Sequence, residues 1–160
     1  MSGALRRVVD EAGLTALAAA LAPALADGGV IHLHGDLGAG KTTFARALLR
    51  TLGAGARIKS PTYSLIESYR ADGRALHHLD LYRIADPGEL EWLGLADLAD
   101  PGAVLLIEWP ERGGDALPPV DLAVRLAHAG AVRDLAIEAV SAQGRAMLDR
   151  LRAAAESGQT

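Results

Sequence analysis

The residues best suited to chemistry in this chain are consecutive. Gly35, Asp36, Leu37, Gly38, Ala39, Gly40, Lys41 and Thr42 satisfy the G-x-x-x-x-G-K-[ST] pattern of a phosphate-binding loop at every required position. Glycines let the backbone wrap a phosphate closely, and the amides of the helical turn that follows point at it. A compact ammonium at Lys41 fits among β- and γ-phosphate oxygens, where a planar guanidinium does not. The chain holds 14 Arg and only two Lys, Lys41 and Lys59, so its general preference for arginine stops at the loop. The bland alternative is a glycine turn capping an ordinary helix. The flanks speak against it, because the apolar run Val30-Ile31-His32-Leu33 precedes the loop and the helix-forming run Thr43 to Arg50 follows it.

A phosphate loop works with a magnesium ion. The motif's last position, Thr42, supplies a hydroxyl ligand, and a carboxylate is expected at the end of a nearby buried strand. Two residues qualify. Glu108 closes the apolar run Ala103 to Ile107, and Asp80 closes Leu76 to Leu79. Glu108 has the stronger pattern, although a carboxylate in such a place is often only a surface group. Arg83 either pairs with Asp80, reaches the γ-phosphate, or is a solvated hairpin arginine. His77 and His78 fall on opposite strand faces and so cannot ligate one metal together. His32 and His34 share a face, which suggests packing or hydrogen bonding. Ser60, Pro61, Thr62 and Tyr63 form a polar loop where nucleotide switches often place a γ-phosphate-sensing threonine; an ordinary loop is the competing reading. Trp109 would stack on a base or a partner, or simply pack.

The elements that must position these residues follow from periodicity. Helix is expected over 11–26, shortened or kinked by Pro23, then strand over 29–34 and helix to Leu52 with Gly53-Ala54-Gly55 as its stop. Strands over 64–70 and 74–81 flank the hairpin signal Ala71-Asp72-Gly73. Short helices follow over 87–100, with Asp86 as N-cap. The apolar run 103–107 suits a central strand buried on both faces. Strands over 122–126 and 132–140 and a helix over 142–155 complete the chain. The pattern is α/β: a three-layer P-loop NTPase-like fold with a mixed central sheet flanked by helices, binding its ligand at the carboxyl end of the strands. Residues 1–160 read as one domain, with 156–160 a frayed tail.

Composition narrows the function. Half the residues are apolar and none is cysteine, which excludes disulfides and Cys-based metal sites. Neither a secretion signal nor an apolar run long enough to span a membrane is visible, so a cytoplasmic location is expected. The net charge of −4 argues against gripping DNA or RNA unaided. Asparagine is absent, so a guanine-reading Asn-Lys-x-Asp loop cannot exist. A small-molecule kinase and a nucleotide-gated binding module stand beside a nucleotide hydrolase as readings of the loop.

The combined segments resemble one family. Residues 35–43, Lys59-Ser60-Pro61-Thr62-Tyr63, His78-Leu79-Asp80-Leu81-Tyr82-Arg83, Asp86-Pro87 with Glu89-Leu90-Glu91 and Gly94, and Ile107-Glu108-Trp109-Pro110-Glu111 are similar, in order and spacing, to the bacterial TsaE (YjeE) ATPases over about residues 8–140. The resemblance implies an ATPase needed for threonylcarbamoyladenosine modification of tRNA beside the anticodon. Such an ATPase acts on a complex of TsaD and TsaB and meets tRNA through it. The resemblance also implies that Thr42 and Glu108 hold magnesium, that Lys41 and Thr43 bind phosphates, that Asp80 assists hydrolysis, and that Ser60 to Tyr63 act as a switch. It places the adenine between Asp10-Glu11 and the C-terminal hairpin near Arg133.

Overall fold

A computed structural model describes residues 3–157. Seven strands form one sheet in the order β1-β7-β6-β2-β5-β4-β3. They span Ala4–Val9, Gly29–His34, Ile66–Ala71, Arg74–Asp80, Val104–Glu108, Leu122–Ala129 and Val132–Ala139 for β1 to β7. The helices are α1 (Glu11–Leu21), α2 (Lys41–Leu52), α3 (Leu95–Leu98) and α4 (Ala142–Ser157). The sheet is mixed, as expected. β2 runs parallel to β5 and β6, and β5 parallel to β4, while β1–β7, β6–β7 and β3–β4 are antiparallel.

Alternation along the strands divides the core in two. Ile31, Leu33, Val104, Leu106, Val124 and Ile137 face α1, α2 and α4, where they meet Leu14, Phe44, Leu48 and Leu148. Val30, Leu79, Leu105 and Ile107 face the other way and pack with Ile84, Leu90 and Leu95. β5 is buried along its whole length, as its unbroken apolar run requires. The three layers are therefore sheet, long helices on one side, and short helical turns on the other.

Local signals act where the sequence placed them. α1 stops at Leu21 and continues as a 3-10 turn, Ala22–Leu25, because Pro23 has no N–H to donate and its ring obstructs the preceding turn. Gly53, at φ 100°, ends α2 by turning its N–H back onto the Arg50 and Leu49 carbonyls. Asp72 and Gly73 both take positive φ in the β3–β4 turn, the conformation that two-residue hairpins favour.

Two strand boundaries depart from expectation by more than one residue, and one strand was not expected at all. β3 begins at Ile66 and not at Ser64, because Leu65 takes φ 69° and closes a turn onto the Pro61 carbonyl. β6 runs on to Ala129, since its antiparallel pairing with β7 continues to Ala129↔Val132. β1 has no counterpart in the sequence reading. It is an edge strand paired only to β7, and the adjacent Arg6 and Arg7, both exposed, hide its alternation.

His32 and His34 lie edge to face with ring centroids 6.1 Å apart. His32 Nε2 is buried without a hydrogen-bond partner. Burial, with His34 adding to it, lowers the His32 pKa from 6.5 to about 4. Burial also lowers that of His34, helped by Arg125 and opposed by Glu111 and Glu138. The unfolded chain therefore binds more protons than the native one between pH 6.5 and about 4, and stability falls as the pH drops through that window. A His32→Phe variant, which cannot titrate there, should lose less of its melting temperature over the same range than the parent chain.

Candidate phosphate-binding site

Parallel pairing brings the chemistry to one edge. β2, β4 and β5 all point their carboxyl ends the same way, and the 35–40 loop leaves β2 there. The register sets Asp80 beside Glu108, and Glu108 beside Leu33. His78, Asp80 and Glu108 lie on the face that looks toward α2, since they alternate with Leu79 and Ile107 on the other face.

The loop needs its glycines for space. A Cβ at Gly35 would stand 2.6 Å from the Leu126 carbonyl oxygen, and one at Gly40, where φ is 111°, would stand 2.9 Å from Leu14 Cδ2. Ala39 N–H closes a turn onto the Asp36 carbonyl at 3.1 Å. α2 then begins at Lys41 with no side-chain cap, so its first-turn amides face the loop.

Thr42, the motif's last residue, donates its hydroxyl to Glu108, with oxygens at 3.0 and 3.1 Å. Glu108 also pairs with buried His78, whose Nε2 lies 2.6 Å from Oε2. Asp80 accepts the Tyr82 N–H on Oδ1 at 3.0 Å. Burial raises the Asp80 pKa above its ordinary value; the Tyr82 N–H opposes this, Glu108 adds to it, and His78 and Lys41 oppose it further. Lys41 is only 5% exposed. Its ammonium donates to the Gly35 carbonyl and sits 3.5 Å from the centroid of the Trp109 ring. Burial lowers its pKa, and Glu108, Asp80, Glu111 and Asp36 hold it back.

A cavity of about 310 Å³ joins these groups, lined by Lys41, Thr42, Thr43, Thr62, Asp80 and Glu108 among others. Thr62 thus comes from the expected switch segment, where its hydroxyl meets that of Ser60 at 2.7 Å. Pro61 accepts the Leu65 N–H, and Tyr63 is 83% exposed. Of the alternatives for Arg83, no ion pair with Asp80 forms among the described residues; the side chain is exposed, as the solvated reading has it, with its guanidinium 4.6 Å from the Tyr63 ring at the cavity's margin. Trp109 stacks obliquely on Tyr82 at 5.0 Å and takes φ 56°, a left-handed conformation rare for a bulky residue.

Beside the loop lies a second cavity of about 260 Å³, lined by Glu11, Leu14, Gly38, Gly40, Thr43, Ala131 and Arg133. Glu11 and Arg133 therefore line one cavity beside the loop. Asp10 does not line this cavity. Its carboxylate caps α1, accepting the Gly13 N–H at 2.8 Å. A larger recess of about 590 Å³ over β1, β6 and β7 holds none of the motif residues.

Sequence reasoning missed His78. The available signal was its two-residue spacing from Asp80, which puts both on one face of β4.

The donor set suits magnesium. Thr42 and Glu108 supply hard oxygens already in contact, and magnesium is ordinarily held by one or two such protein ligands completed by phosphate oxygens and water.

A glycine loop leaving the central strand, with a strand-end carboxylate against its last hydroxyl, defines a P-loop NTPase-like α/β fold. A family model described as "Threonylcarbamoyl adenosine biosynthesis protein TsaE" matches residues 8–135, and the chain belongs to this family. The tRNA threonylcarbamoyladenosine biosynthesis protein TsaE of Haemophilus influenzae is 41% identical over 116 residues, 72% of this chain and 73% of that protein. The protein of the same name from Bacillus subtilis is 36% identical over 124 residues, 78% and 77% of the two chains. The crystal structure of Bacillus subtilis YdiB matches with a TM-score of 0.77 at 32% identity, covering 95% of this chain and 96% of that one.

Glu108→Ala should destabilise the fold by about 1–3 kcal/mol, because it strips buried His78 of its partner. Glu108→Gln, which keeps a carbonyl and an N–H in place, should lose less. Urea denaturation distinguishes the two.

Proposed function

We propose that this chain is a magnesium-dependent ATPase required for threonylcarbamoyladenosine modification of tRNA, acting on a TsaB–TsaD complex to support its turnover. The contact between Thr42 and Glu108 carries the ATPase part of this reading, since it joins the end of the phosphate loop to the strand-end acid of a nucleotide hydrolase. Membership of the TsaE family supports the pathway. The acidic balance of −4 suits a chain that meets tRNA through partners, with no role for DNA. Among the described residues no helix is long and apolar enough to cross a membrane. With the cysteine-free composition, this fits work in the cytoplasm.

Loop amides and Lys41 hold the β- and γ-phosphates, with Thr43 contributing from the first turn of α2. Thr42 and Glu108 hold the ion. An ion held there would supply charge neutralisation on the phosphates during transfer of the γ-phosphoryl group. Asp80, which lines the same cavity, orients the attacking water. Positioning and electrostatics dominate phosphoryl transfer, so a strong base is unnecessary. Ser60 to Tyr63, with Arg83 on the Tyr63 ring, form the segment that responds to the γ-phosphate and faces the partner together with Trp109. The adenine occupies the cavity between Glu11 and Arg133, with Asp10 setting the start of α1.

Lys41→Ala should abolish turnover, read as phosphate release. Glu108→Ala should raise the magnesium requirement. If Asp80→Ala does so instead while Glu108→Ala leaves turnover intact, the two carboxylates exchange roles. The deciding experiment is steady-state ATP hydrolysis by the purified chain alone and with the TsaB–TsaD pair. A low rate that rises with the pair is expected. A rate indifferent to the pair would remove the partner role, and a rate that rises only with a small acceptor would make the chain a kinase.

A further inference from the structure

Two side chains outside the phosphate-loop motif grip it from behind. His128 and Arg133 face each other directly across the β6–β7 hairpin, as partners in its antiparallel register. Residues so paired project from the same face of a sheet. His128 Nε2 lies 3.2 Å from the Leu37 carbonyl oxygen. Arg133 donates Nε to the Ala39 carbonyl at 3.1 Å and Nη2 to the Gly38 carbonyl at 3.4 Å. Its Nη1 donates to the Val132 carbonyl at 3.0 Å, which fixes the plane of the guanidinium. Three consecutive loop carbonyls are thus held by one hairpin.

The consequence follows from peptide geometry. A planar trans peptide points its N–H opposite to its C=O, and no peptide bond described here is cis. Holding the Leu37 and Ala39 carbonyls from the hairpin side turns the Gly38 and Gly40 amides the other way. These two glycines line the cavity with Lys41 and Thr42. A glycine-rich segment has more backbone freedom to lose than any other, so external donors that fix it contribute most where glycines are most numerous.

We propose that His128 and Arg133 are positioning residues for phosphate binding, holding the loop carbonyls outward so that the Gly38 and Gly40 amides turn toward the phosphates. Arg133 thereby acts through the loop and not by touching the base, although it borders the base cavity. This deepens the nucleotide-binding reading above and rests on it.

The test is calorimetric binding of two probes to the full chain with magnesium: ADP, and inorganic tripolyphosphate, which has no base. Arg133→Met, which keeps the stem and removes every donor, should weaken both probes by a similar factor, about tenfold for roughly two hydrogen bonds. His128→Ala should weaken both by less, and Arg133→Lys and His128→Gln, which each keep a donor, should recover part of the loss. Loss confined to ADP would overturn the proposal and make Arg133 a base contact. Unchanged affinity for both probes would overturn it too, leaving the bonds purely structural. His128 is exposed, so its variants report even where Arg133→Met fails to fold. A parent chain that binds neither probe would sink the nucleotide-binding reading itself, a result distinct from either.

Discussion

The site depends on one constraint, the parallel pairing of β4 with β5 in a register that sets Asp80 beside Glu108. Parallel strands end at the same edge, so two carboxylates that close apolar runs 28 positions apart in sequence arrive side by side. β2, on the other flank of β5, delivers the glycine loop to that edge. A one-residue slip between the two strands would turn one of the acids to the opposite face, away from its partner. The burial of β5 along its whole length opposes that slip, because every inward position of this strand is already committed to one of the two cores.

Crowding acids into a buried edge is costly, and the neighbours show how the cost is met. Glu108 has two donors, Thr42 and His78. Asp80 has the Tyr82 amide, and burial still raises its pKa. Lys41 supplies positive charge nearby, but burial works against that charge as well. The result is a concentrated set of charged groups whose mutual attraction is strengthened by the low dielectric around them and whose individual desolvation is incomplete compensation. Structures of this kind favour function over stability, since apolar replacements of similar volume would pack with less penalty.

What the sequence made legible was local. The loop announces itself by spacing, Glu108 by closing an apolar run, and the α2 stop by Gly53 at positive φ. What stayed hidden was set by strand pairing over long separations. His78 gains its role from a partner 30 residues away on another strand. Arg133 bonds to Gly38 and Ala39, 95 and 94 residues distant, and no periodicity encodes that. β1 was missed for a different reason: an edge strand with one neighbour needs less apolar alternation, and adjacent Arg6 and Arg7 erase what remains. Even the Trp109 conformation was concealed, since a residue before proline is disfavoured from the right-handed helical region and gives no hint that it turns left-handed instead.

Trp109 and Lys41 show why that last detail matters. The left-handed turn at Trp109 sets its ring against the Lys41 ammonium, which the Gly35 carbonyl also holds. On the proposed function, a phosphate at the loop would compete with both contacts, offering charged oxygens in place of a neutral carbonyl and a ring face. The ring that meets the lysine also stacks on Tyr82 at 5.0 Å, and the Arg112 guanidinium lies 5.6 Å from the Tyr82 ring. Tyr82 is 39% exposed. The site is thereby connected to its own rim through a short series of stacked and cationic groups. Trp109, at φ 56°, is the member of this series that meets the phosphate-loop lysine.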